Sequence, residues 1–187
     1  MEFPEMYAQA HATATAVIGN VTLGQLDGPT PCPDWDVRAL LNHMIGFNYV
    51  LANAIAGEPP DRSGTASADF AGDDPAGAWK ASSEKILAGW AEPGVMDRTL
   101  DLPFGPMPAA MAIGVHFGEI TQHTWDVAKA TGQQPQFEDE IYAAALEFAQ
   151  SVPAEMRGPG NLFGFEVAAP AGAGPADRLA AFLGRTP

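Results

Sequence analysis

Residues 116–132 read HFGEITQHTWDVAKATG. Small and apolar residues recur around this stretch at helical spacing, and Gly132 stands where a left-handed terminator belongs, so the spacing predicts a helix from about Pro108 to Thr131. At about 100° per residue, Glu119 and His123 differ by roughly 40° around its axis, and His116 lies within about 60° of both. Ala109, Ala112, Ile120 and Val127 flank the same stripe, which puts three titratable side chains on the face marked as inward. A charged group on such a face requires a partner. The competing reading is an i,i+4 hydrogen bond between Glu119 and His123 on a solvated face.

An earlier segment repeats the anomaly. Leu40, Met44, Phe47, Val50, Leu51 and Ala54 define the core side of a helix from about Trp35 to Ala56, and His43 falls among them. Taken singly, an imidazole on an apolar face is more often a satisfied core residue than a ligand. Together, His43, Glu119 and His123 offer two nitrogens and a carboxylate to one point in the core, a donor set that leaves a divalent ion an open position. Neither the His-Glu-x-x-His of zinc proteases nor the paired Glu-x-x-His of di-iron bundles occurs, so a single-metal site fits. Asp126 is spaced to orient His123 through its other ring nitrogen, with an exposed Asp126 as the alternative. His116, one turn before Glu119, is a candidate for supporting the site or relaying protons.

Further out, the punctuation separates helical segments. An Ala-rich first helix is expected from about Pro4 to Leu26. In the turn cluster GPTPCPDWD, Asp34 is the expected N-cap of the second helix and Asp36 sits in its first turn, with Gly57 as the C-cap. Residues 58–74 are polar and aperiodic; a loop this long suits a crossover between parallel helices. Asp74 and Pro75 then open a third helix carrying Trp79, Ile86, Leu87 and Trp90, with Gly94 as terminator. Leu100, Leu102 and Phe104 alternate with polar or Pro residues, predicting a short extended segment before the fourth helix. FEDEIYAAALEFAQSV predicts a fifth helix, FGFEVAAP a short strand or extended strap, and PADRLAAFLGRTP a last short helix. The expectation is an all-α bundle with a wrapped tail, one domain over residues 1–187.

Lys plus Arg number 9 against 23 Asp plus Glu, a formal net charge of −14, which repels polyphosphates and anionic membrane surfaces and argues against nucleic-acid binding. The first residues lack a signal-peptide pattern and no apolar run reaches the roughly 18 residues of a membrane span, so a soluble cytoplasmic protein is expected. The single cysteine, Cys32, excludes an intrachain disulfide and a Cys-rich zinc site. Cys32 precedes a helix N-terminus, a setting that activates thiols, yet packing is the favoured reading. From the start of the second helix to His43 is roughly 13 Å along the axis, which puts Cys32 out of reach of the same ion unless the loop folds back. Trp35, Trp79, Trp90 and Trp125 read as packing residues.

Three segments, TPCPDWDVRALLNHMIG (30–46), EITQHTWDVAKATG (119–132) and DRLAAFLGR (177–185), resemble the metal-binding domain of the mycothiol-dependent maleylpyruvate isomerase family, within the wider DinB-like (YfiT-like) superfamily. The resemblance spans nearly the whole chain. It implies a four-helix bundle running up-down-down-up, with its long crossover between helices two and three, and an additional C-terminal helix and short extended tail. By matching position, it places the family's three metal ligands on His43, Glu119 and His123 and implies zinc, with nickel as an alternative. His116 stands outside the family pattern, and the extra C-terminal domain of the full isomerase is not expected here. Mycothiol or a similar low-molecular-weight thiol is the implied cosubstrate, acting on an electrophilic small molecule, and a homodimer is compatible with the superfamily. The function expected is that of a metal-dependent thiol S-transferase or isomerase; the alternative is a non-catalytic metal-binding or small-molecule-sensing module.

Overall fold

Capping side chains and glycines set the helix boundaries in the computed structural model, which describes residues 1–60, 68–153, 157–158 and 164–187. Helix α1 (Phe3–Gly19) opens on a reciprocal capping box between Glu2 and Glu5, which satisfies two otherwise orphaned backbone donors. It stops well short of the expected Leu26. Gly19 and Asn20 are weak helix formers, and the chain restarts beyond them as a 3-10 turn over Leu23–Gln25 with its own Thr22–Gln25 capping box.

Helix α2 (Val37–Ile55) begins two residues later than expected, and its N-cap is Asp36, not Asp34: Asp36 accepts from Ala39 N at 2.8 Å. The turn ahead of it is held by Thr30, whose hydroxyl donates to Trp35 O at 2.8 Å and accepts from Cys32 N at 3.0 Å. Gly57, at φ +76°, follows the cap and ends the helix. Of the long loop after it, residues 61–67 lie outside the described residues. Helix α3 (Pro75–Trp90) starts as expected, with Asp74 accepting from Gly77 N at 2.9 Å. It ends before Gly94, which instead opens a 3-10 turn over Val95–Asp97.

The segment expected to be a single extended stretch is a hairpin. Strands β1 (Thr99–Leu102) and β2 (Gly105–Pro108) pair antiparallel, from Thr99 opposite Pro108 to Leu102 opposite Gly105. Leu100 and Leu102 are buried, but Phe104 sits in the turn and is 62% exposed. Among the described residues the chain is therefore mostly helical with one small sheet. Helix α4 (Ala109–Thr131) follows, closed by Gly132 at φ +72°, and most of its residues from Ala112 to Ala128 are buried.

Helices α1 and α2 each pack against both α3 and α4, while α5 (Asp139–Gln150) packs on α4 and on α6 (Pro175–Phe182). The expected strap begins at residue 163, outside the described residues; 164–170 run without regular structure, tied to α6 by Val167 N donating to Ala181 O at 3.0 Å. Among the described residues no helix is long and apolar enough to cross a membrane.

Candidate metal centre

Glu119 and His123, one turn apart on α4, face His43 of α2. Glu119 Oε2 lies 2.8 Å from His43 Nε2 and 3.1 Å from His123 Nε2. The three donor atoms all fall within 4.8 Å of one another. Trp35 covers them, its ring centroid 4.6 Å from that of His43 and 5.7 Å from that of His123. Trp35 is thus part of the site, whereas Trp79, Trp90 and Trp125 are buried in the core as expected.

The far side of His123 decides what the near side can do. Its Nδ1 lies 2.9 Å from Asp126 Oδ2, and an ionised carboxylate only accepts, so the Nδ1 proton is assigned to that bond. In the neutral ring Nε2 then carries a lone pair aimed at Glu119 Oε2, acceptor against acceptor. A cation has to lie between them, either a proton or a metal ion. This is the fit expected of a metal-ligating histidine held by a carboxylate behind it.

The titration of these groups follows from the same geometry. Burial works against a charged His123, but the Glu119 carboxylate and the bond to Asp126 outweigh it and hold the imidazole well above its ordinary range. Burial likewise opposes ionised Glu119, and His123 and His43 overcome it, holding the carboxyl well below the usual carboxylate range. Asp126 is fully buried; burial raises it, yet the bond from His123 and the charge of Arg185 leave it below its usual value.

Two neighbours of Asp126 add to the sequence-based expectation. Cys32 does not join the His43–Glu119–His123 group, but the Thr30–Trp35 turn carries it to the far side of His123, where its thiol donates to Asp126 Oδ2 at 3.3 Å. The donor atoms of Cys32, His123 and Asp126 also fall within 4.8 Å of one another, but Asp126 is already committed to His123 and to Arg185 Nη2, 3.1 Å away. Arg185 had no role in the sequence reading. The only signal for it was its place in the closing segment DRLAAFLGR.

His116 is held apart from the trio. It is buried, with Nδ1 2.7 Å from the Tyr7 hydroxyl, and the Phe47 ring contacts both it (5.5 Å) and His43 (6.2 Å). Burial, and then the neighbouring His11, push His116 well below its ordinary pKa. His11 bonds Ser83 Oγ at 2.7 Å, and burial lowers it to about 4. Across the core, Asn48 donates to Ser82 Oγ at 2.9 Å, so all four helices contribute to one polar layer.

A cavity of about 590 Å³ opens on the trio. Its walls include Trp35, Val115, Phe148 and Leu183, with Cys32 and Arg185 at the Asp126 side. Phe148 of α5 can lie against α4 because Gly114 has no side chain: a Cβ there would sit 2.6 Å from the ring.

Residues 7–128 match the family model described as the mycothiol maleylpyruvate isomerase N-terminal domain. Two uncharacterized proteins from two strains of Mycobacterium tuberculosis are each 36% identical to the chain over 183 residues, covering 96% of this chain and 96% of the relative. No solved structure matches significantly.

Proposed function

The chain belongs to the family of the mycothiol maleylpyruvate isomerase N-terminal domain, and from that premise we propose that it is a metal-dependent enzyme of low-molecular-weight thiols, an S-transferase or isomerase of the mycothiol type. In this reading residues 1–187 form one domain, with α1–α4 as a DinB-like bundle running up-down-down-up and α5 and α6 added to it. The mutual contacts of those four helices support that arrangement. His43, Glu119 and His123 hold one divalent ion, zinc with nickel as the alternative. When bound, such an ion acidifies a thiol and keeps it as the nucleophilic thiolate.

The chain's own residues do the rest. Asp126 holds the His123 tautomer, Trp35 and Phe148 wall the reaction space with apolar surface, and neutral His116 backs the site from behind Phe47. A thiolate so supplied would either displace a leaving group from carbon or add to a conjugated double bond and depart after rotation. The observation that carries the reading is the convergence of His43 Nε2 and His123 Nε2 on Glu119 Oε2, at 2.8 and 3.1 Å, at the floor of an open cavity. A non-catalytic metal module is the second reading; the room beside the trio favours the enzyme, because a structural site closes its fourth position with protein.

Metal analysis of the purified protein and cobalt substitution test this. With cobalt bound, mycothiol should produce a sulfur-to-metal charge-transfer band that Glu119→Ala and His123→Ala lack. A cobalt-loaded protein whose spectrum ignores saturating mycothiol, bacillithiol and glutathione would refute the thiol chemistry and leave the non-catalytic module.

A further inference from the structure

Arg185 reaches the site from 59 residues beyond Asp126 along the chain. At the end of α6, Gly184 takes φ +88°, and a Cβ there would lie 3.0 Å from both Gly164 Cα and Phe165 O, so dihedral and space alike demand glycine. This turn folds the backbone into a hook, with Arg185 N donating to Ala180 O at 2.9 Å, and the side chain is sent inward.

There its donors are spoken for. Nη1 bonds Leu183 O at 2.8 Å, Nη2 lies 3.1 Å from Asp126 Oδ2 and 3.3 Å from Cys32 Sγ, and Nε lies 3.4 Å from Asp126 Oδ1. A guanidinium that brackets both oxygens of one carboxylate fixes its plane as well as its position. A guanidinium so engaged is poorly placed to bind a substrate anion. Asp126 receives Gln122 Nε2 at 3.1 Å as well, which leaves His123 Nδ1 a single fixed acceptor to meet.

We propose that Arg185 is a positioning residue of the metal site: its fork fixes the Asp126 carboxylate, Asp126 fixes the His123 ring, and Nε2 is thereby aimed at the point shared with His43 and Glu119. Its purpose rests on the metal reading above; the clamp itself does not. Arg185 lies outside the segment matched by the family model, residues 7–128, whereas the three ligands and Asp126 lie inside it, so the clamp on Asp126 comes from a different part of the chain. Lysine would keep the charge but lose the planar fork.

The test compares wild type, Arg185→Gln, Arg185→Lys and, as a control for loss of a structural arginine, Arg98→Gln, which breaks an ion pair with Glu92. Zinc affinity is read by chelator competition, and the His123 ring by imidazole nitrogen NMR of zinc-free protein. Arg185→Gln should weaken zinc by about 10-fold, the low end of the range for removing a partner directly behind a ligand because Asp126 itself remains, and should lose the protected Nδ1 proton signal of His123. Arg185→Lys should fall between, and Arg98→Gln should match wild type in both. Should Arg185→Gln fail to fold, the lysine variant carries the comparison. Wild-type zinc affinity and an unchanged Nδ1 signal in the folded Arg185 variants would overturn the proposal. A wild type that binds no zinc, with an Nδ1 signal still lost in Arg185→Gln, supports the clamp and rejects the metal reading.

Discussion

Two glycines four residues apart on α4 should respond to the same substitution with opposite signs. Gly114→Ala and Gly118→Ala both gain about 1 kcal/mol of helix propensity. At Gly118 the new methyl meets only Phe148 Cδ1, 4.0 Å away, an ordinary contact. At Gly114 it would stand 2.6 Å from Phe148 Cε2 and 3.0 Å from Cδ2. The ring must move toward the cavity or α5 must retreat, and such overpacking costs about 1–3 kcal/mol. Gly118→Ala is therefore stabilised by up to about 1 kcal/mol, while Gly114→Ala comes out between neutral and about 2 kcal/mol destabilised. Because the propensity gain cancels, the gap between the variants isolates the clash. At about 2–4 °C per kcal/mol for a chain of this size, their melting temperatures should differ by about 2–12 °C. Thermal unfolding followed by circular dichroism reads this directly. A Gly114→Ala protein as stable as Gly118→Ala would refute the close packing of α5 on α4, and with it the placement of Phe148 in the cavity wall.

His43→Ala should lose stoichiometric zinc while keeping wild-type helicity, since one partly exposed ligand is removed from a core that remains; zinc retained in full would contradict the assignment. Asp126→Ala leaves the part-buried Arg185 charged without its carboxylate, a loss of up to about 3 kcal/mol, which thermal melts should show as a fall of up to about 12 °C. Cys32→Ser, whose hydroxyl can still donate to Asp126 and accept from Arg185, should leave zinc stoichiometry unchanged by metal analysis. The pH dependence has a defined sign: His123, raised in the fold, stabilises metal-free protein below its ordinary 6.5, an effect lost as pH rises through the folded value. Glu119, depressed in the fold, stabilises it above its ordinary 4.5, an effect lost as pH falls through the folded value. Zinc displaces the His123 proton, so the rise in melting temperature on adding zinc should grow from pH 6 to pH 8; a gain that shrinks over that range would count against His123 as a ligand.

What was legible in the sequence was what a single helix can display. The polar stripe of α4 and the misplaced imidazole of α2 could be read from 3.6-residue spacing, and the structure does bring His43, Glu119 and His123 together. Contacts made by irregular backbone were not legible. The reach of Cys32 was judged along a helix axis, but the Thr30 hydroxyl curls residues 30–35 back on themselves and carries the thiol to Asp126. Arg185 meets Cys32 across 153 positions, a separation with no periodicity to betray it. The hairpin has a more local reason: the alternation of Leu100, Leu102 and Phe104 suggests one extended segment, and the turn signal at Gly105, φ +120°, is not weighed against it. The end of α1 was likewise visible in Gly19 and Asn20, and was overrun because the alanines before them dominated.

The polar layer through the core bears on which helix pairings the chain can adopt. The buried face of α1 carries Ala10 and Ala14 one turn apart, with Tyr7, Val17 and Ile18 around them, so a slide of α1 by a turn would exchange the two alanines and misplace the larger side chains. Such a slide separates Tyr7 from His116 and His11 from Ser83, stranding four polar groups away from water. At about 1–3 kcal/mol for each orphaned group, the slipped alignment is worse by roughly 4–12 kcal/mol. That is comparable to the whole stability of an ordinary domain, about 5–15 kcal/mol. Histidines that touch no ligand thus act as an alignment key: they make the one-turn-off bundle unaffordable, and so hold α4, and the donors it carries, in a single register against α2.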